Sequence, residues 1–226
     1  MKQQSSVEPR LVFFDLETAG IDPKRHPIIQ IGAIAVDQDL EPVEAFEAKV
    51  KFSDRSAVKR SLRKCSYHPG VWAKEAREAA EVARDFAAFL RRHASQPALT
   101  ADGKAYHLAQ LVAHNAAFDG PFLVEWFDRQ RIYLPARRLV LCTMQLAMWR
   151  VTQGVDATPP NFQLATLCRH YGVPFHASAA HDALGDVAAT VQLYRAMATL
   201  DKGVIVGLAG ARAAQEPTFS EMEKTI

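Results

Sequence analysis

The chain has 226 residues, enough for one domain with a sizeable core, and its 49% hydrophobic and 23% charged residues exclude a disordered chain or a repetitive fibre. Lys and Arg number 27 against 25 Asp and Glu, a net charge of +2, so composition alone calls for no polyanionic partner and any basic surface must come from local clustering. Three scattered cysteines without CxxC spacing (Cys65, Cys142, Cys168), a polar N-terminus and apolar runs too short to span a bilayer predict a soluble cytoplasmic protein with no membrane association.

Leu11-Val12-Phe13-Phe14 is a short apolar run ending at Asp15 and reads as a buried strand. A loop marked by Gly20, Asp22 and Pro23 follows, then strands over residues 28–36 and 43–52, which predicts an antiparallel meander. From residue 71 to 90, Trp72, Ala76, Ala79, Ala83, Phe86 and Leu90 recur at helical spacing. A strand at 111–113 then precedes a helix over 121–130, and a strand at 139–141 precedes a helix beginning after Thr143. A short helix is expected over 164–171, stopped by Gly172 and Pro174, and a last one over 183–200. A meander followed by alternating strands and helices predicts an α/β fold, a mixed five-stranded sheet flanked by helices. Residues 10–202 are read as the domain, with tails at 1–9 and 203–226.

Three segments carry chemistry. In Asp15-Leu16-Glu17-Thr18, residues two apart on a strand project to one side, so Asp15 and Glu17 present two carboxylates together. At the end of an apolar strand such a pair resists burial unless a divalent cation joins it, and oxygen donors suit Mg²⁺ or Mn²⁺. The competing reading is a polar strand end entering a solvated loop. His114-Asn115-Ala116-Ala117-Phe118-Asp119 follows a buried strand directly, where ligand sites of such sheets gather, although a turn with Asp119 capping a helix reads equally well. In His181-Asp182-Ala183-Leu184-Gly185-Asp186, five residues of ideal helix would leave His181 and Asp186 about 140° apart. The two converge more easily if Asp182 is the N-cap, His181 precedes the helix and Asp186 lies in its opening turns. An ordinary helix start with acids favouring the dipole is the alternative.

Together, four acids and a histidine at strand and helix ends resemble the DEDDh 3′→5′ exonucleases, a family that includes polymerase proofreading subunits, ribonuclease T and oligoribonuclease. The first motif is matched by Phe14-Asp15-Leu16-Glu17-Thr18-Ala19-Gly20 and the second by Val112-Ala113-His114-Asn115 with Phe118-Asp119. The third is matched by His181-x-Ala183-Leu184-x-Asp186, so the sibling class with tyrosine in place of the histidine does not fit. The resemblance covers about residues 11–199, and Leu164-Ala165-Thr166-Leu167 with Tyr171-Gly172-Val173 is similar to the helix that precedes the family's third motif.

That resemblance implies a ribonuclease H-like sheet and metal-dependent hydrolysis of DNA or RNA from the 3′ end, single strands favoured, to nucleoside 5′-monophosphates. It implies two Mg²⁺ (or Mn²⁺) roughly 3.5–4 Å apart on Asp15, Glu17, Asp119 and Asp186, with Asp15 bridging and His181 as general base. For the substrate it implies Thr18 at the 3′ end and Ile21 against the terminal base, with His114 and Phe118 lining the pocket. Relatives occur as monomers, homodimers and polymerase subunits, so a polymerase partner, another protein partner and a homodimer all stay open.

Two further readings compete. A catalytically silent nucleic-acid-binding or assembly module would most simply lack one of the five residues, and none is missing. A two-metal endonuclease on a related sheet shares the acids but gives no reason for the HxxxxD pairing. Outside the motifs, residues 49–64 hold seven basic residues against Asp54 alone, which reads either as a track for a phosphate backbone or as a solvated loop. Ser66-Tyr67-His68-Pro69-Gly70-Val71-Trp72 departs from the family's short Gly-containing segment, which bears on specificity rather than on chemistry.

Overall fold

The structure, a computed structural model, describes residues 10–65, 67–175 and 182–212. Strands β1 (Leu11–Thr18), β2 (Ile28–Val36) and β3 (Pro42–Lys49) form the expected antiparallel meander. A hairpin of β4 (Gln96–Leu99) and β5 (Ala105–Leu108) stands apart, and β6 (Leu111–Ala113) and β7 (Leu141–Cys142) complete the main sheet in the order β3-β2-β1-β6-β7. β6 runs parallel to β1 and to β7, so the sheet is mixed, five-stranded and flanked by helices.

Both faces are covered, as the near-continuous apolar run of β2 requires. Alternation along β1 sends Val12, Phe14 and Leu16 into the larger core, against helices α3 (Ala79–Arg92) and α4 (Ala116–Gln130). Phe13 points the other way, packing with Val187 and Val191 of the last helix, which runs over Ala183–Arg212. Asp15 and Glu17 share the parity of Phe13, so the strand's period of two directs both acids toward the face that carries this helix.

Four expected boundaries are corrected. The helix expected over 71–90 is broken into α2 (Pro69–Glu75) and α3. At the break, the Arg77 N–H donates to the Lys49 carbonyl and the Lys51 N–H to the Arg77 carbonyl, so the chain leaves the helix to extend the sheet edge beyond β3. This also accounts for β3 ending at Lys49 rather than near residue 52. α4 begins at Ala116, five residues before Pro121, because Ala117 and Pro121 lie on the exposed face, where water can satisfy the carbonyl that proline leaves without a donor. β7 covers 141–142 rather than 139–141, and Leu139 is 80% exposed.

α1 (Lys59–Leu62) precedes α2, while α5 (Thr143–Thr152) and α6 (Leu164–His170) pack against the last helix, α7. Gly172, at φ +68°, ends α6 as expected. α7 continues past residue 202, within which the expected domain boundary falls. Among the described residues, no helix is long and apolar enough to cross a membrane.

Candidate active site

Three elements converge at one end of the sheet. β1 carries Asp15 and Glu17, α4 carries Asp119 in its first turn, and α7 carries Asp186 one turn from its start. Carboxylate oxygens of Asp15, Glu17 and Asp186 all lie within 4.8 Å of one another. Asp119 lines the same cleft, about 700 Å³ in volume, and is 3% exposed.

Local structure explains each placement. Asn115, between β6 and α4, adopts the left-handed conformation (φ +63°, ψ +47°), which asparagine tolerates better than most residues. That single residue turns the strand into the helix and sets the azimuth of Asp119. At α7, Asp182 is the N-cap: its Oδ2 accepts from the Gly185 N–H at 3.3 Å and its carbonyl from the Asp186 N–H at 2.9 Å. Its other oxygen, Oδ1, accepts from the Gln30 amide, which also donates to Glu47 Oε1, both at 2.9 Å. The helix thus opens where the sequence analysis requires. His181, the residue before this cap, lies outside the described residues.

Burial and mutual repulsion govern the electrostatics. Burial, then the charges of Asp119, Asp186 and Asp182, push the Asp15 carboxyl well above its ordinary value. Glu17 is raised to about 9, by burial first and then by Asp15 and Asp186. Asp119 is raised to about 8, mainly by burial, although backbone N–H groups of Asp119 and Leu16 favour its ionised form. A half-buried all-oxygen donor set that cannot hold its charges unaided fits a hard divalent cation such as Mg²⁺ or Mn²⁺. Asp15, Glu17 and Asp186 could bind one between them, with Asp119 beside them.

The cleft is bounded by the other expected residues. Ile21 is 80% exposed at its mouth, Phe118 lines it half-buried, and Thr18 is buried with its hydroxyl donating to the Gly20 carbonyl at 2.7 Å. His114 also lines it, but Nδ1 meets Thr143 Oγ1 at 2.9 Å and Nε2 meets the Phe162 carbonyl at 3.0 Å. Nε2 must therefore donate, Nδ1 accepts from the Thr143 hydroxyl, and burial lowers the pKa of the ring. Neither ring nitrogen is left for a ligand.

The sequence profile of the exonuclease (RNase T) family matches residues 12–194 of this chain. The chain belongs to the DEDDh 3′→5′ exonuclease family. Among proteins similar to this exonuclease domain is the DNA polymerase III PolC-type of Oceanobacillus iheyensis, 28% identical over 178 residues, 78% of this chain and 11% of that protein. In the solved structures, the zinc-ion-bound Escherichia coli exonuclease I–single-stranded DNA complex superposes with a TM-score of 0.68 at 20% identity, over 85% of this chain and 41% of that one. Exonuclease I from Methylocaldum szegediense gives 0.64 at 22% identity, over 83% and 40%. The chain thus spans less than half the length of each of these relatives, and the structural likeness establishes the ribonuclease H-like exonuclease fold.

Some residues that shape this exonuclease site escaped the sequence analysis. Gln30, opposite Glu17 in the β1–β2 ladder, holds the cap of α7, and Gly32, opposite Asp15, lies under that helix's first turn. A lone glycine in a strand otherwise rich in Ile and Ala was the available signal, since it marks a close backbone approach. Val58 and Ser61 line the cleft without a signal in the sequence, whereas Arg60 and Lys64, which also line it, belong to the basic run at 49–64 that the sequence analysis singled out.

Proposed function

We propose that this chain is a metal-dependent 3′→5′ exonuclease that hydrolyses single-stranded DNA or RNA from the 3′ end to nucleoside 5′-monophosphates. The observation that carries the reading is the convergence of Asp15, Glu17 and Asp186 within 4.8 Å, beside Asp119, in an open cleft of the exonuclease fold. Asp15, Glu17, Asp119 and Asp186 would hold two Mg²⁺ or Mn²⁺. When bound, these supply the positive charge the carboxylates lack and the Lewis acidity that phosphodiester hydrolysis needs.

The chain's own residues do the rest. His181, five positions before Asp186 and directly ahead of the α7 cap, would take the proton of the attacking water, since an imidazole titrates near neutral pH. Ile21 would pack on the terminal base and Phe118 would wall the pocket, while Thr18 would meet the 3′ end. His114 would support this wall from behind through Thr143 and Phe162 rather than donate to substrate. The single-stranded DNA held by the E. coli relative supports a single-stranded substrate. Three free cysteines, Cys65, Cys142 and Cys168, support a reducing, cytoplasmic setting.

The test is a gel time course on matched 5′-labelled single-stranded DNA and RNA with Mg²⁺, Mn²⁺ or EDTA, with Asp15→Ala protein purified in parallel. A metal-dependent ladder that shortens from the 3′ end and vanishes in Asp15→Ala is expected. Undiminished turnover in Asp15→Ala, or no cleavage with salt-sensitive binding retained, would overturn the reading, the latter in favour of a silent nucleic-acid-binding module.

A further inference from the structure

We infer that Arg60 and Lys64 form a phosphate-binding lip that grips the nucleic-acid backbone upstream of the scissile bond, a reading that rests on the exonuclease activity proposed above. The fold sorts the basic run at 49–64 into committed and available charges. Lys49 Nζ lies 3.0 Å from Glu75 Oε2 and 5.6 Å from the centre of the Trp72 ring, and Lys51 Nζ lies 2.8 Å from Glu78 Oε1. Those two lysines brace the edge of the sheet. Arg60 and Lys64 are exposed and make no ion pair among the described residues.

The helical turn that carries them is aimed. Arg60, Ser61 and Lys64 line the cleft, whereas Lys59 and Arg63, equally basic and equally exposed, do not. Arg60 and Lys64, from the helical turn and the turn that follows it, thus share the cleft with the carboxylates. The turn is also anchored. The Val58 N–H donates to the Ala19 carbonyl at 2.7 Å, tying its start to the residue after Thr18, and Cys65 and Leu62 pack with Ala19, Ile29 and Trp72.

The cleft therefore carries both signs of charge. The same cleft is lined by the four acids, by the apolar side chains of Ile21, Val58 and Phe118, and by Arg60, Ser61 and Lys64. A polynucleotide strand offers a partner for each group: a scissile phosphate for the carboxylates and the cations they would hold, a base for the apolar side chains, and a neighbouring phosphodiester for the guanidinium and ammonium. The Ser61 hydroxyl, between the two cations in sequence, adds a neutral donor. A single phosphodiester would not need the lip; a strand would.

The experiment compares kcat/KM for a short single-stranded oligonucleotide across a KCl titration, using wild type, Arg60→Ala/Lys64→Ala and Lys59→Ala/Arg63→Ala. The last pair loses the same charge from residues that do not line the cleft. Thymidine 5′-monophosphate p-nitrophenyl ester, which has the reacting phosphodiester but no upstream phosphates, is assayed alongside. In Arg60→Ala/Lys64→Ala the log–log salt dependence on the oligonucleotide should become shallower by about 1.4, at about 0.7 per single-strand phosphate contact. The ratio of oligonucleotide to ester kcat/KM should fall about tenfold or more at low salt. Lys59→Ala/Arg63→Ala should keep the wild-type slope. Equal slope changes in both pairs, an unchanged slope in Arg60→Ala/Lys64→Ala, or an equal loss on the ester would each overturn the lip while the wild-type activity stands. Wild-type protein inert toward both substrates would instead overturn the exonuclease reading, and the lip with it.

Discussion

A Cβ built on Gly32 would stand 2.6 Å from the carbonyl carbon of Ala183 and 2.6 Å from the amide nitrogen of Leu184. Gly32 is paired with Asp15 across β1 and β2, so the missing side chain lets α7 settle on the sheet beside the first carboxylate. Asp186 can then approach Asp15 and Glu17. Gly32→Ala should displace the start of α7, because the obstructing atoms are backbone. We expect a loss of about 1–3 kcal/mol in stability and about 10²-fold in kcat from misplacement of Asp186. Denaturant unfolding and single-turnover assays would show it, and wild-type kcat in a folded Gly32→Ala protein would refute it.

Gln30 holds the same helix from the side. Its amide bridges Asp182 and Glu47, donating to one oxygen of each acid. Gln30→Leu should cost about 1.5–3 kcal/mol for a hydrogen bond to a charged group. Gln30→Glu, with the same shape, should cost more at neutral pH by adding a third acid. A Gln30→Glu protein as stable as wild type would show that the bridge does not matter.

His181→Ala should lower kcat on the order of 10²–10⁴-fold, the usual worth of a general base. Mn²⁺ affinity, measured by calorimetry, should stay near that of wild type, and the acid limb of the kcat–pH profile should disappear. Retention of that limb would assign the proton transfer to another group.

Metal removal and pH should act together. Glu17 at about 9 and Asp119 at about 8, with Asp15 also raised, mean that the metal-free folded protein holds protons that the unfolded chain releases at ordinary carboxylate values. The stability these groups contribute is complete below about pH 4 and is lost as pH rises through about 8 to 9. In EDTA, Tm should therefore fall from about pH 6 to about pH 9, and the rise in Tm on adding Mn²⁺ should grow over the same range, since ligation requires the ionised carboxylates. A Tm in EDTA that climbs across this interval would contradict the assignment.

Asn115 sits in the left-handed region at φ +63°. Asn115→Gly should preserve stability, while Asn115→Val should lose about 1–2 kcal/mol and draw Asp119 out of place, reducing kcat as well. Urea titration of the two variants separates this from a general intolerance of the position.

Patterns of residue type made much of this protein legible before any coordinates. The meander, the strand at Leu111–Ala113 and the helix opening after Asp182 follow from hydrophobic period, caps and spacing, which are local properties of the chain, and the acids of the three motifs follow from the family resemblance. The break between α2 and α3 was not legible, because Arg77 leaves the helical period only to pair with Lys49 and Lys51, far away in sequence. Nor was the hairpin of β4 and β5, whose Asp102-Gly103 turn joins two half-exposed strands without an apolar run. Sequence alone named the four carboxylates that the fold brings to one cleft, Asp15, Glu17, Asp119 and Asp186. Only the tertiary structure decided how closely Asp15, Glu17 and Asp186 approach, that His114 is committed to Thr143 and Phe162, and that of the basic run Arg60 and Lys64 face the cleft. The physical reason is that these depend on contacts between segments distant along the chain, where a helix settles only as close as a residue such as Gly32 allows.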